Sequence, residues 1–281
     1  MVDLDGRIVV ITGASAGVGA AGARQLSRLG ATVAVVGRSP EKTAAVAEEV
    51  GGQPFVADFS RLDEVRRLAG ELLARYPVID VLANNAGRQV TRRTLSADGH
   101  ELTFQTNYLA PFLLTHLLAP ALGGARVIST ASAAHSWARL DLDDLNSARG
   151  RYRSTRAYAC SKLGNVLFTQ ELARRAAGSG LTASSFHPGL VASEFFRDDG
   201  VFGLFGKVMI NSPLGRRLAV SPDQGAAPLV HLATAAAESV NGAYFHLMRR
   251  QPPKGPQPHD PAFGQELWQR TLKLLELDPV W

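Results

Sequence analysis

Short apolar runs alternate with stretches of helical period along most of the chain. Arg7–Thr12, Ala31–Val36, Gln53–Ala57, Ile79–Ala83, Arg126–Thr130 and Leu181–Phe186 are rich in β-branched side chains and bounded by turn formers. That pattern predicts strands buried on both faces, as in a parallel sheet. Between them, Ala20–Leu29, Glu41–Val50, Leu62–Tyr76, Leu102–Leu122, Arg156–Arg175 and Pro222–Ala235 read as helices. Pro111 is expected to kink the fourth of these. Strands separated by helices of this length specify an α/β fold, a doubly wound parallel sheet with right-handed crossovers and helices on both faces. Gly242–His246 reads as a short last strand, and the prolines of Gln251–Pro261 as an extended tether. Phe263, Leu267, Thr271, Leu274 and Leu275 then form a stripe at helical spacing. The expected organisation is one domain over residues 1–281, with tether and final helix at 251–277. The apolar stretch Phe195–Leu214, within a segment spanning 190–215, reads as a lid over an apolar substrate. A dimer surface and a membrane-contacting patch are its alternatives.

Composition narrows the setting. A hydrophobic content of 46% with 20% charged residues is that of a soluble globular protein. No apolar run is long enough to span a bilayer and no leader pattern opens the chain, so a cytoplasmic protein without a membrane span is expected. The one cysteine, Cys160, excludes an internal disulfide and a cysteine-based zinc cluster. The net charge of +5 is spread over many arginines without a dense basic block. No nucleic-acid partner is expected, and a polyanionic small molecule suits the bias better.

Candidate chemistry gathers where strands end. After the first strand comes Thr12-Gly13-Ala-Ser15-Ala-Gly17-Val18-Gly19, followed by a helix. Glycines there permit a tight turn and close backbone approach, and the helix N-terminus offers unpaired N–H groups to a pyrophosphate. Gly37 stands at the end of the second strand, where an acid would take the ribose hydroxyls of NAD. Arg38 follows, and its guanidinium suits a phosphate, so NADP(H) is preferred over NAD(H); a solvated loop arginine would look the same. Asp58 and Phe59 follow the third strand, Asp58 as an adenine contact or a helix-capping neighbour. Asn84-Asn-Ala86-Gly87 makes a small polar turn after the fourth strand, with Asn84 tying neighbouring strands and Ala86 and Gly87 leaving room for the nicotinamide ribose. Asn107 lies near the expected kink, and Ser132 just past the fifth strand, where ligands bind in open α/β sheets. Tyr158 and Lys162, four apart on one helix, share a face, so a cation there favours the phenolate and Tyr158 can pass a proton. His187-Pro188-Gly189-Leu-Val191-Ala-Ser193 follows the sixth strand; the Pro-Gly turn would cover the nicotinamide, Ser193 would bond its carboxamide or a phosphate, and His187 reads as packing.

Taken together and in this order, these motifs resemble the short-chain dehydrogenase/reductase family over nearly the whole chain. The resemblance implies a Rossmann-type domain of about seven parallel strands and a catalytic tetrad falling on Asn107, Ser132, Tyr158 and Lys162. It implies hydride transfer between NADP(H) and an apolar ketone, aldehyde or alcohol. In that scheme Ser132 polarises the carbonyl, Tyr158 serves as acid/base, Lys162 lowers its pKa, and Asn107 positions a water. It also implies a homodimer or homotetramer paired through helices that include the one bearing Tyr158. The Arg156–Arg175 stretch, the long Ser132-to-Tyr158 separation and the aromatic tail near Trp268 are most similar to the retinol dehydrogenase and WW-domain oxidoreductase branch. The extra residues in that separation, Asp141–Asp144 and Arg149–Arg153, are expected to form a flap at the site mouth. Ala131 departs from the branch's usual Ser-Ser pair, so retinoid specificity does not carry over. A non-catalytic nucleotide-sensing protein is the competing class, and a sugar-nucleotide epimerase or dehydratase a third, disfavoured by the glycine spacing.

Overall fold

Alternate residues of the first strand point into two different cores. In β1 (Ile8–Thr12), Val9 and Ile11 join one apolar cluster and Val10 the other. In β2 (Thr32–Gly37), Val33 and Val35 separate from Ala34 and Val36 in the same way. Period-two alternation with both faces apolar demands a helical layer on each side. The computed structural model, which describes residues 4–191 and 219–281, has those layers. One is built by α1 (Gly17–Ser27), α2 (Pro40–Glu49) and a helix at Pro222–Thr234; the other by α3 (Leu62–Arg75), Ala110–Leu117, Ser154–Arg175 and Pro261–Leu274. Side chains such as Ile11, Leu26, Leu68 and Leu72 are fully buried, and each contributes about 1.5–3 kcal/mol.

The remaining strands are β3 (Gln53–Val56), β4 (Val81–Asn84), β5 (Arg126–Thr130), β6 (Thr182–His187), β7 (Leu190–Val191), β8 (Ala219–Val220), β9 (Tyr244–His246) and β10 (Arg249–Gln251). Of the ten strands among the described residues, eight form one sheet in the order β10-β9-β6-β5-β4-β1-β2-β3, with β7 and β8 paired apart from it. Every pairing from β3 across to β9 is parallel, and only β10 runs antiparallel, at the edge. The expected parallel, doubly wound sheet is therefore present, with one antiparallel strand added. Its outer strands carry Pro54 on one side and Arg249 and Arg250 on the other, all exposed.

Local signals explain several helix starts. Ser39 caps α2, accepting from the Lys42 N–H, and Pro40 holds its first position. Ser221 and Gln224 form a reciprocal capping box on Pro222–Thr234, which we label α7, the fourth helix being Leu102–Phe104 (α4), the fifth Ala110–Leu117 (α5) and the sixth Ser154–Arg175 (α6). Ala237–Val240 (α8) is a single turn, and Asp260 caps Pro261–Leu274 (α9) through the N–H groups of Ala262 and Phe263. The expected long helix from Leu102 is interrupted. Between α4 and α5 lies a π-helical turn, Gln105–Leu109, closed by a bond from the Ala110 N–H to the Gln105 carbonyl. Pro111 sits in the first turn of α5, where its missing N–H is tolerated, so the irregularity precedes the proline.

Two expectations about the C-terminal half need correction. The proline-rich stretch is docked and does not hang free: the Gln257 side chain bonds both the N–H and the carbonyl of Leu140, and the Lys254 N–H bonds the His135 ring. The segment Asp141–Arg153, expected as a flap, is likewise fastened to other parts of the chain. Arg270 of α9 holds the Leu142 carbonyl and the Asp143 carboxylate, while Asn146 accepts from Arg93 through its carbonyl and from the Glu101 N–H through its side chain. α6 is enclosed as well, with no exposed residue from Ala157 to Ala173. Trp268 of α9 stacks on Phe168, ring centroids 5.8 Å apart, so part of α6 is covered by this chain's own last helix. The expected lid and Ser193 lie outside the described residues.

Candidate active site

The C-terminal ends of β1, β2, β4, β5 and β6 open onto one cleft of about 730 Å³. Its floor at β1 is the glycine-rich turn. Gly13 has φ +64° and a Cβ there would lie 2.7 Å from Ala86 Cα, so both backbone freedom and the close approach to the β4 turn require glycine. α1 then begins with no side-chain cap and no acidic residue in its first turn. Its free N–H groups and positive dipole end are left for an anion, and Ser15, Gly17 and Val18 line the cleft there. Gly19 is one turn in, facing Asn85 and Ala14, and does not line it.

Gly37, Arg38, Asp58 and Phe59 line the far end, joined by Ser39 and Lys42. A Cβ on Gly37 would lie 2.9 Å from Ser15 Cβ and also strike Thr43, so no acidic side chain fits at that position. Asp58 in addition accepts from the Ser60 N–H in a local turn ahead of α3 and does not cap that helix, whose N-cap position is Arg61.

Asn84 does not tie the strands together. Its amide donates to Thr115 of α5, on the side away from the cleft, and it is absent from the cleft lining. Asn85 does that work. Its side chain donates to the Thr12 carbonyl at 3.0 Å and accepts from the Thr130 hydroxyl at 3.1 Å, linking β1 to β5 across the end of β4. Successive side chains point to opposite faces, so a one-residue change of assignment moves the amide from one layer to the other.

On the β5 side stand Ser132, Tyr158 and Lys162. Ser132 is extended and caps a 3₁₀ turn, Ala133–Trp137, through the Ala134 N–H. α6 carries Tyr158 and Lys162 on one face, and both line the cleft. The Ser132 hydroxyl hydrogen-bonds the Tyr158 phenol. Lys162 is 3% exposed; its Nζ lies 5.8 Å from the Tyr158 ring centroid and donates to the Thr130 carbonyl at 2.8 Å. Burial pushes the Tyr158 phenol up to about 12, against the pull of the Ser132 bond, and pushes Lys162 down to about 8. The Tyr158 pKa is raised, not lowered as expected: burial is the dominant cause, and the Lys162 ammonium donates to the Thr130 carbonyl. At neutral pH Tyr158 holds its proton, poised as an acid.

Asn107 lies behind this group. Fully buried in the π-helical turn, it accepts from the Arg88 N–H at 2.7 Å and donates to Ser161 at 2.9 Å, and Ser161 in turn bonds the Tyr158 carbonyl. Its side chain thus fixes the loop after β4 against α6 and does not line the cleft. Ala86 and Gly87 do line it, and a Cβ on Gly87 would stand 3.4 Å from the Lys162 Nζ. Pro188, Gly189 and Val191 close the β6 side. His187 lines the cleft too, its ring centroid 5.0 Å from that of His246. Burial and then the neighbouring His246 push its pKa to about 4, so it is a neutral wall.

Sequence reasoning missed Asn85, Thr130, Lys42 and Gln89 among the lining residues. Asn85 was one residue from being found, but Thr130 acts through a main-chain carbonyl that no side-chain pattern reports. Among the described residues no group of three His, Cys, Asp or Glu could hold a metal ion.

Comparison with known proteins agrees with this geometry. The family model for short chain dehydrogenases matches residues 7–200. The chain is 41% identical over 275 residues to a Streptomyces sp. (strain C5) protein named "Putative daunorubicin C-13 ketoreductase DnrU", covering 95% of this chain and 92% of that one. It is 33% identical over 286 residues to retinol dehydrogenase 13 of Homo sapiens, covering 98% of this chain and 86% of the relative. A crystal structure of an uncharacterized protein from Mycobacterium paratuberculosis superposes with a TM-score of 0.80 at 34% identity, over 100% of this chain and 97% of the other. A glycine-rich turn after β1, a serine past β5 and a tyrosine–lysine pair on α6, on a sheet matched end to end by these relatives, make the chain a member of the short-chain dehydrogenase/reductase family, an oxidoreductase of the retinol dehydrogenase type.

Proposed function

We propose that the protein is an NADP(H)-dependent carbonyl reductase acting on an apolar ketone or aldehyde, with Tyr158 as the proton donor. The observation that carries this reading is the hydrogen-bonded Ser132–Tyr158 pair facing the cleft, with the buried Lys162 on the same face of α6. A phenol that keeps its proton at neutral pH is matched to protonating an alkoxide, which is the reductive direction. The retention of Tyr158 and Lys162 at the cleft argues against a purely sensing role.

The residues present fit a dinucleotide phosphate. The uncapped start of α1 and the close-packed Gly13 turn suit a pyrophosphate, while Arg38 and Lys42, with no carboxylate able to stand at position 37, suit a further phosphate on the ribose. When bound there, NADPH supplies the hydride. The Ser132 hydroxyl donates to the substrate carbonyl oxygen and polarises it. Tyr158 then delivers its proton to that oxygen, and the Lys162 ammonium stabilises the phenolate left behind. Thr130 and Asn85 hold Lys162 in place, and Asn107 anchors α6 through Ser161.

The test is NADPH oxidation by the purified protein against a panel of apolar aldehydes and ketones, with Tyr158→Phe in parallel. Expected is turnover that falls by about a thousandfold or more in the variant, while NADPH binding, read by its fluorescence, persists. Turnover that survives Tyr158→Phe would remove the tyrosine from the mechanism.

A further inference from the structure

The 3₁₀ turn after Ser132 contains a buried imidazole with both nitrogens engaged. His135 is 3% exposed, and its Nδ1 lies 2.6 Å from the Ser132 carbonyl oxygen. Its Nε2 accepts a bond from the Lys254 N–H at 3.2 Å. A nitrogen that accepts cannot carry the hydrogen, so the proton sits on Nδ1 and is donated to Ser132. The Tyr244 ring packs against the imidazole with centroids 4.7 Å apart, restricting its rotation. Burial holds the ring's pKa below the usual histidine value, which preserves the neutral form that both bonds need. The Ser132 carbonyl also accepts the His135 N–H at 3.1 Å, so the peptide of the serine is gripped twice by one residue.

We infer that His135 is a positioning residue, which fixes the Ser132 peptide so that its hydroxyl meets Tyr158 and couples the docked proline-rich segment to the active site. This role rests on the reductase reading above. The proline-rich segment supplies the Lys254 N–H that selects the tautomer, is itself fastened by Gln257 to Leu140, and is braced internally by the bond from His259 to the Pro253 carbonyl. The segment therefore acts on Ser132 through one ring, without touching the cleft, whose lining includes none of its residues. An Oγ displaced by a few tenths of an ångström no longer polarises the carbonyl effectively, and rate is lost before binding is.

Four variants separate the parts. His135→Phe keeps the ring shape and removes both bonds. His135→Asn keeps a donor at the Nδ1 position only. Lys254→Pro removes the N–H that sets the tautomer together with the lysine charge that bears on the ring, and Lys254→Ala, which keeps the N–H, isolates the effect of the charge. Expected is a fall in kcat of roughly tenfold or more in His135→Phe, with NADPH affinity close to wild type and a lower melting temperature, because the Lys254 N–H loses its partner. His135→Asn should recover most of that loss, and Lys254→Pro should fall between. In the wild type, ¹⁵N NMR of the His135 side chain should show the Nδ1-protonated tautomer, a readout independent of turnover. Wild-type kcat in His135→Phe, equal losses in Phe and Asn variants, or loss of NADPH affinity together with kcat would each overturn the role. So would an Nε2-protonated ring. Absence of turnover in the wild type would sink the reductase reading and this role with it, whereas wild-type turnover with an unaffected His135→Phe would sink only the role.

Discussion

At Gly37 a single added carbon would meet Ser15 and Thr43, and that crowding has a consequence for cofactor choice. Placing a carboxylate there, the obvious route to an NAD-preferring enzyme, should instead weaken both cofactors. Gly37→Asp is expected to lower NADH and NADPH affinity alike, checked by fluorescence titration of each. Its neighbour behaves differently. On the proposed reading Arg38→Ala removes a charge-assisted contact to the ribose phosphate, worth about 1.5–3 kcal/mol, so the KM for NADPH should rise roughly ten- to hundredfold while that for NADH changes little. Equal losses would defeat the phosphate assignment. Lys162 sets a pH limit. With its pKa pushed down to about 8 and Tyr158 up to about 12, raising the pH through 8 discharges the ammonium while the phenol keeps its proton. The kcat/KM of reduction should therefore fall above about pH 8, and Lys162→Met should lack that limb at a lower plateau. Its contribution to folding runs the other way. A folded pKa below the ordinary 10.5 means the folded state binds fewer protons between about 8 and 10.5, so stability from this group rises with pH across that window.

Among the elements, the π-helical turn is the one whose energetics can be isolated. Its Tyr108 is fully buried, and its hydroxyl pairs with Thr271 of α9 at 2.9 Å, joining the turn behind the active site to the C-terminal helix. Thr271→Val keeps the volume and orphans the phenol, which should cost about 1–3 kcal/mol in urea denaturation. Little loss would show that the phenol finds another partner. The strands around this turn were legible in the sequence because β-branched runs such as Ile8–Thr12 have no other stable use. The turn itself was not. Over one turn the spacing of apolar residues does not distinguish i→i+4 from i→i+5 bonding, so Pro111 marked a break without locating it. The same limit separated Asn84 from Asn85: both read as polar residues at a strand end, and only the parity of the pleat, fixed by tertiary packing, decides which faces the cleft. Tyr158 and Lys162 were legible because a helix converts their spacing directly into a shared face.

For the whole molecule, the two cores and the enclosed α6 mean that the catalytic helix is held on every side by this chain's own residues. Trp268, stacked on Phe168 and lying beneath the Arg175 guanidinium at 5.1 Å, anchors that enclosure. Trp268→Ala should cost about 3–5 kcal/mol of stability, and its effect on kcat should appear only near the unfolding transition. The edges of the sheet carry a different consequence. An exposed edge strand is a template on which another chain can add itself, and a parallel sheet that forms its outer strands late displays such edges during folding. Here one border presents a proline, which has no N–H to offer a newcomer, and the other presents two adjacent guanidinium groups, which repel a second copy of themselves. Concentrated solutions of the protein should accordingly resist fibrillar and amorphous association, and a chain with Pro54→Val and Arg249→Val should turn cloudy on refolding at concentrations where the parent stays clear.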